Sequence, residues 1–213
     1  MPTQPYFTKD GERVPGTTTV ISRFKESGGL IHWAWQLGKD GRDYRQERDA
    51  AASAGTLAHA MVEAFLRKTE VDFSGYPADQ FVKASNAFEQ FRRWADMTRL
   101  VCDEPEVALV SEQYRFGGTM DGITVEGQRA ILDWKTSNSV YADYLIQVAA
   151  YGMLWDEHHP SDPIVGGYHI VRFSKEDADF EHRFFGEAED AKRLFVLYRE
   201  AYGIDQKLRK RVR

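Results

Sequence analysis

The apolar run Ala130-Ile131-Leu132 leads directly into Asp133-Trp134-Lys135. In an extended strand the side chains alternate, so Asp133 and Lys135 share one face while Leu132 and Trp134 point to the other. A carboxylate beside an ammonium at a strand end can bind a cation and neutralise charge growing on a reacting oxygen. Upstream, Gly118-Thr119-Met120-Asp121-Gly122 carries a second carboxylate on the neighbouring strand of a hairpin, placed to face Asp133 across the pair. Two Asp, a backbone carbonyl such as that of Trp134, and water make a shell of hard oxygen donors suited to Mg²⁺ or Mn²⁺. Such a site can split a phosphodiester with metal-activated water, with Lys135 countering the developing charge and orienting the attacking water.

A third block, Gly55-Thr56-Leu57-Ala58-His59, opens a helix in which His59 and Glu63 lie one turn apart on one face. His59 can complete the metal shell. A fourth, Gln147 and Tyr151, again one turn apart, sits on the helix after the Asp133 strand and can pack back over the site. Together with Thr56 and Thr136, these are polar groups able to hydrogen-bond a phosphate.

The elements that must position these groups follow from periodicity. Tyr6 to Val14 reads as a hairpin around Asp10-Gly11, and Thr17-Thr18-Thr19 suits the cap of a short helix from about Val20. Ile31 to Trp35 reads as helical. Helical spacing is strongest over Ala54–Lys68 and Asp79–Leu100. After Pro105 alternation takes over: Val107–Phe116, Thr119–Glu126 and Arg129–Lys135 read as an antiparallel meander, with turns at Gly117-Gly118 and Glu126-Gly127. A helix from Tyr141 to about Glu157, strands Ile164–Phe173 and Asp179–Phe185, and a helix from Glu187 to about Arg209 complete the order. The expectation is one α/β domain over residues 1–213, a central mixed sheet flanked by helices. An N-terminal hairpin and helical region occupies 1–50 and a basic helix 187–213.

Bulk properties narrow the class. A chain of 213 residues with 42% hydrophobic residues can bury one sizeable core. No apolar run is long enough to span a bilayer, and Met1-Pro2-Thr3-Gln4 lacks the start of a secretion signal, so a cytoplasmic protein with no membrane partner is expected. The single Cys102 forms no internal disulfide and reads as a small buried residue. A net charge of -5 argues against a protein that coats nucleic acid by bulk electrostatics, but not against an enzyme whose carboxylates hold cations in a local groove.

Taken in order, Gly55-Thr56-x-x-His59, Glu112 on a strand, Gly118-Thr119-x-Asp121, Asp133-Trp134-Lys135-Thr136-Ser137 and Gln147-x-x-x-Tyr151 resemble the motifs of RecB-like nucleases of the PD-(D/E)xK superfamily. The resemblance covers residues 53 to 155 or so. It implies a restriction-endonuclease-like core and cleavage of DNA with Mg²⁺ or Mn²⁺, often as an exonuclease. By position, His59, Asp121 and Asp133 resemble the metal ligands, Lys135 the catalytic lysine, and Gln147 and Tyr151 the substrate-organising pair. Glu112 matches a recurring acidic position that reaches the metal through water. Relatives with an iron-sulfur cluster hold it with several cysteines; with Cys102 alone, none is expected here. A chain of this kind without a helicase module is similar to stand-alone recombination exonucleases of phages, for which a single-strand annealing protein is a partner by analogy.

Other readings stand beside this one. A structure-specific or single-strand endonuclease would use the same metal site, and a DNA-binding subunit could keep the fold without turnover. Taken alone, Glu63 reads as a solvated helix position, Trp33, Trp35 and Trp94 as core, and His158-His159 as a helix end. The basic stretch from Lys207 to Arg213 serves either phosphate contact or the helix dipole.

Overall fold

The alternating segments pair into a five-stranded sheet of order β3-β4-β5-β6-β7, and the helical segments cover both of its faces. The computed structural model describes residues 5–176 and 179–212; Met1 to Gln4 and Arg213 of the basic terminus lie outside the described residues. In chain order the elements are β1 (Tyr6–Phe7), β2 (Arg13–Val14), α1 (Thr17–Phe24), α2 (Gly28–Lys39), α3 (Tyr44–Arg67), α4 (Ala78–Met97), β3 (Val101–Ser111), β4 (Phe116–Val125), β5 (Gln128–Lys135), α5 (Ala142–His158), β6 (Tyr168–Phe173), β7 (Phe180–Phe185) and α6 (Glu189–Arg211).

Strands β3, β4 and β5 form the expected antiparallel meander, β5 and β6 run parallel, and β7 returns antiparallel. A parallel neighbour requires a crossover, which α5 supplies. That helix is apolar nearly all round because it lies between sheet and α6, with Ile146, Val148, Leu154 and Trp155 buried. All six residues of β6 are buried, as a strand covered on both faces requires. Helices α1, α5 and α6 pack on one face with Phe116, Met120, Ile131 and Ile170; α3 and α4 pack on the other with Ile123, Val125, Val171 and Phe173.

Several boundaries differ from the periodicity reading. Helix α3 starts at Tyr44, a full ten residues before Ala54, with the Asp43 side chain accepting a hydrogen bond from the Arg45 amide at 2.7 Å. Strand β3 begins at Val101 and continues through Pro105, because register shifts between Cys102 and Val107 absorb the irregularity. Thr17 lies inside α1, where its hydroxyl donates to the Gly117 carbonyl at 3.0 Å and caps nothing. Ile164 to Gly167 are irregular, with the Val165 and Gly166 amides donating to the Arg129 carbonyl, so β6 starts only at Tyr168. On α2, Trp33 and Trp35 are exposed, not core; Trp94 is buried as expected. Cys102 is half-buried.

The Gly117-Gly118 turn is a clearer correction. The turn is Glu112 to Arg115, and both glycines lie within β4. They are small because two elements crowd that strand: the Tyr6 ring lies over Gly117, and Tyr151 and Leu154 of α5 press on Gly118. A Cβ on Gly117 would sit 2.3 Å from Tyr6 Cγ. Gly117→Ala is therefore expected to cost about 1–3 kcal/mol through overpacking. In a protein of this length each kcal/mol lowers the melting temperature by roughly 2–4 °C. Thermal denaturation followed by circular dichroism checks this, and an unchanged melting temperature would mean that Tyr6 is not seated on the strand.

Candidate active site

The candidate site opens where β4 and β5 part. Their ladder runs from Val125↔Gln128 to Ile123↔Ala130 and stops there, short of both Asp121 and Asp133. Continuing that register would set Asp121 opposite Leu132, so the two carboxylates do not face each other across a regular pair. Asp121 turns toward α3 into a cleft of about 570 Å³, together with His59, Glu63, Arg67 and Glu106. Asp133 turns toward α5 and is buried. The parted strands thus offer one carboxylate from each side of the sheet.

Around Asp133 the polar groups are tightly connected. Lys135 Nζ donates to Asp133 Oδ1 at 2.8 Å and to Gln147 Oε1 at 3.3 Å. Gln147 Nε2 donates to the Tyr151 hydroxyl at 3.1 Å. Lys135 also lies 4.7 Å from the centre of the Tyr144 ring. Burial pushes the Asp133 carboxyl above its usual range, and Lys135 only partly offsets this. Burial and the nearby Asp133 charge also push the Tyr151 phenol up, so it remains a neutral hydrogen-bonding group.

Across the split, α3 comes close to the end of β5 because Gly55 leaves room: a Cβ there would be 2.9 Å from the Thr136 hydroxyl. That approach sets the His59 ring 6.2 Å from the Trp134 ring. Burial, aided by the Lys135 charge, pulls the imidazole down to about 4. His59 is consequently neutral at physiological pH, the form that binds metals. Thr56 and Thr136 both line the cleft, and the Thr56 hydroxyl is used within α3, donating to the Ala52 carbonyl at 2.9 Å.

Among the described residues no three His, Cys, Asp or Glu side chains gather as a ready metal cage. The donor chemistry nevertheless fits a divalent cation. Asp133 Oδ2 is buried with no hydrogen-bond partner, burial raises the carboxyl of Asp121 as well as that of Asp133, and His59 is neutral. Two carboxylates that are costly to ionise and an oxygen without a partner are what a bound cation relieves.

Glu112 is elsewhere. It lies in the turn after β3, accepting from the Lys9 amide at 2.9 Å with Arg115 3.7 Å away. The antiparallel register explains why: Ser111 pairs with Phe116, and the residues that reach the level of Asp121 are those between Glu104, paired with Gly122, and Val107, paired with Met120. The acidic residue there is Glu106, whose amide donates to Asp121 Oδ1 at 2.8 Å. Motif spacing does not single out Glu106 or Arg67, and Glu63, taken alone, reads as a solvated helix position. Counting register back along β3 from a correctly placed Glu112–Arg115 turn would have found the first. His59 and Glu63, one turn apart, point the way to Arg67 one turn further on.

The other residues noted in the sequence are scattered. In the basic stretch at the end of α6, Arg209 donates to Asp205 at 2.9 Å. His158 ends α5 as expected.

The mixed sheet flanked by helices is that of a restriction-endonuclease-like core. The family model of the PD-(D/E)XK nuclease superfamily matches residues 6–211, and the chain belongs to that superfamily. Among solved structures, a candidate exonuclease from Eubacterium rectale is similar at 13% identity and a TM-score of 0.49, over 73% of this chain and 66% of that protein. This chain thus spans just under two thirds of that protein's length. No curated protein matches. No helix among the described residues is long and apolar enough to cross a membrane.

Proposed function

We propose that this chain is a divalent-cation-dependent deoxyribonuclease, one nuclease domain from end to end, that hydrolyses phosphodiester bonds at DNA ends. The observation that carries the reading is the buried Asp133–Lys135 pair at the end of β5, with one carboxylate oxygen left without a partner beside the split in the sheet. His59, Asp121, Asp133 and the Trp134 carbonyl would hold Mg²⁺ or Mn²⁺. When bound, such a cation supplies Lewis-acid stabilisation of the phosphoryl oxygens and a more acidic water.

The chain's own groups do the rest. The Lys135 ammonium lies beside Asp133, where negative charge grows as the phosphodiester is attacked. Its direction is fixed by Gln147, which Tyr151 braces in turn. Preorganised charge of this kind is worth more in a water-poor site than in solvent. Thr136 and Thr56 on the cleft wall are the groups assigned to the substrate phosphates, Thr56 by turning its hydroxyl away from the Ala52 carbonyl. The phage-type recombination setting, with an annealing protein as partner, is the pathway that the motif order suggests.

The test is digestion of end-labelled linear DNA and closed circular DNA with Mg²⁺ or Mn²⁺. Loss of the linear form alone is the expected result. Nicking of the circle would replace end-dependence with endonuclease action, and cleavage of neither by the folded protein would leave a DNA-binding subunit.

A further inference from the structure

Resting on the reading of the cleft as a cation site, we propose that Arg67 is a positioning residue, a resident cation that fixes the acidic wall around Asp121 and keeps that wall from drawing a second metal ion. Its guanidinium bridges two carboxylates, at 2.6 Å from Glu106 Oε2 and 3.2 Å from Glu63 Oε1. All three side chains line the cleft beside Asp121.

The coupling to Asp121 runs through Glu106. That residue holds a left-handed backbone at φ 53°, inside the irregular stretch of β3. A non-glycine residue rarely adopts this conformation, and it persists only where the surroundings impose it. Here the same residue gives its amide to Asp121 Oδ1 at 2.8 Å and its carboxylate to Arg67. The salt bridge therefore pins the bulge, and the bulge pins the Asp121 carboxylate.

Charge explains why a resident cation is needed. Glu63, Glu106 and Asp121 repel one another: the last two push the Glu63 carboxyl up in addition to its burial, while Arg67 opposes that rise. Without Arg67, three mutually repelling carboxylates would share a half-enclosed cleft, and a divalent ion would be the available counter-charge. An arginine cannot leave this role by losing a proton, as a lysine can.

The experiment is Mn²⁺ binding to the full chain at constant pH, read by equilibrium titration with electron paramagnetic resonance of free Mn²⁺. The expected result is that Arg67→Met binds one more Mn²⁺ per chain than the parent, and that Arg67→Lys does not. The extra ion should disappear again in Arg67→Met combined with Glu106→Gln. Equal stoichiometry in the parent and Arg67→Met overturns the inference. So does a parent that already binds two ions, a result needing no variant to fold. DNA cleavage by the parent is scored separately, so failure of the nuclease reading is distinguishable from failure of this one.

Discussion

Asp133→Asn is expected to lower DNA cleavage by about 10³-fold or more, because it removes charge from the group proposed to hold the cation. The same protein, free of cation, should melt at or above the parent at neutral pH. Asp133 is buried and its Oδ2 has no partner, so in the parent the ionised form carries a desolvation cost that Lys135 only partly offsets. The sign follows from the raised carboxyl. A group whose folded value lies above its ordinary 3.8 favours folding below that range and loses this contribution as pH rises through the folded value. The stability advantage of the Asn variant should therefore be present at pH 8 and shrink in acid. A second signature is ligand linkage. A cation at a hundred times its dissociation constant stabilises the parent by about 2.7 kcal/mol, and the variant should show little of that shift. Steady-state cleavage and paired melting curves with and without Mn²⁺ test both halves. A variant that cleaves normally would remove Asp133 from the site, and one that melts well below the parent would make the Asp133–Lys135 pair a net structural support.

This separation of activity from stability explains which parts of the molecule the sequence made legible. Segments that satisfy one rule at a time were readable: β5 alternates toward a buried face, β6 is continuously apolar, and α5 lacks a polar face because it is covered on both sides. The errors came where two elements compete for one position. Gly117-Gly118 has the composition of a turn, yet Tyr6 from the N-terminal hairpin and two side chains of α5 require the missing Cβ atoms inside a strand. Nothing local to those glycines announces Tyr6, far upstream in the chain, or Tyr151 and Leu154, downstream on α5. Trp33 and Trp35 failed in the opposite sense, being aromatic but exposed.

At the candidate site, motif order named side chains that the fold brings to one region, and said less of their geometry. Asp121, Asp133, Lys135, His59, Gln147 and Tyr151 all lie at or beside the split between β4 and β5, but the split itself is invisible to an argument from hairpin pairing. Period-two reasoning assumes that the ladder continues; here it ends at Ile123↔Ala130, and the carboxylates leave on different faces. Glu112 and Glu106 show the same dependence on register. A turn misplaced by a few residues moves the acidic partner of Asp121 from one end of β3 toward the other, and with it conceals the Glu63–Arg67–Glu106 bridge.

Lys135→Met should expose the electrostatic debt of that arrangement most strongly. Rate falls through loss of charge stabilisation, by about 10²–10³-fold. Stability falls through a different route: a buried carboxylate is left without its cation, a loss typically near 3–5 kcal/mol for a broken buried pair. The 19% exposure of the lysine side chain places the expected loss toward the lower end of that range. Since Lys135 lowers the Asp133 carboxyl, removing it sends that group further up. The loss should then be full at pH 8 and fade as pH falls toward the ordinary carboxylate range, where Asp133 is protonated in both states. Two rescues separate charge from packing. Adding Asp133→Asn should return most of the lost stability and none of the activity. Mn²⁺ should also return stability, because a cation bound to Asp133 substitutes for the missing ammonium, while the rate remains low for want of Lys135 itself. If the variant is equally destabilised at every pH and neither rescue works, the contribution of Lys135 is packing, and its assigned catalytic charge is misplaced.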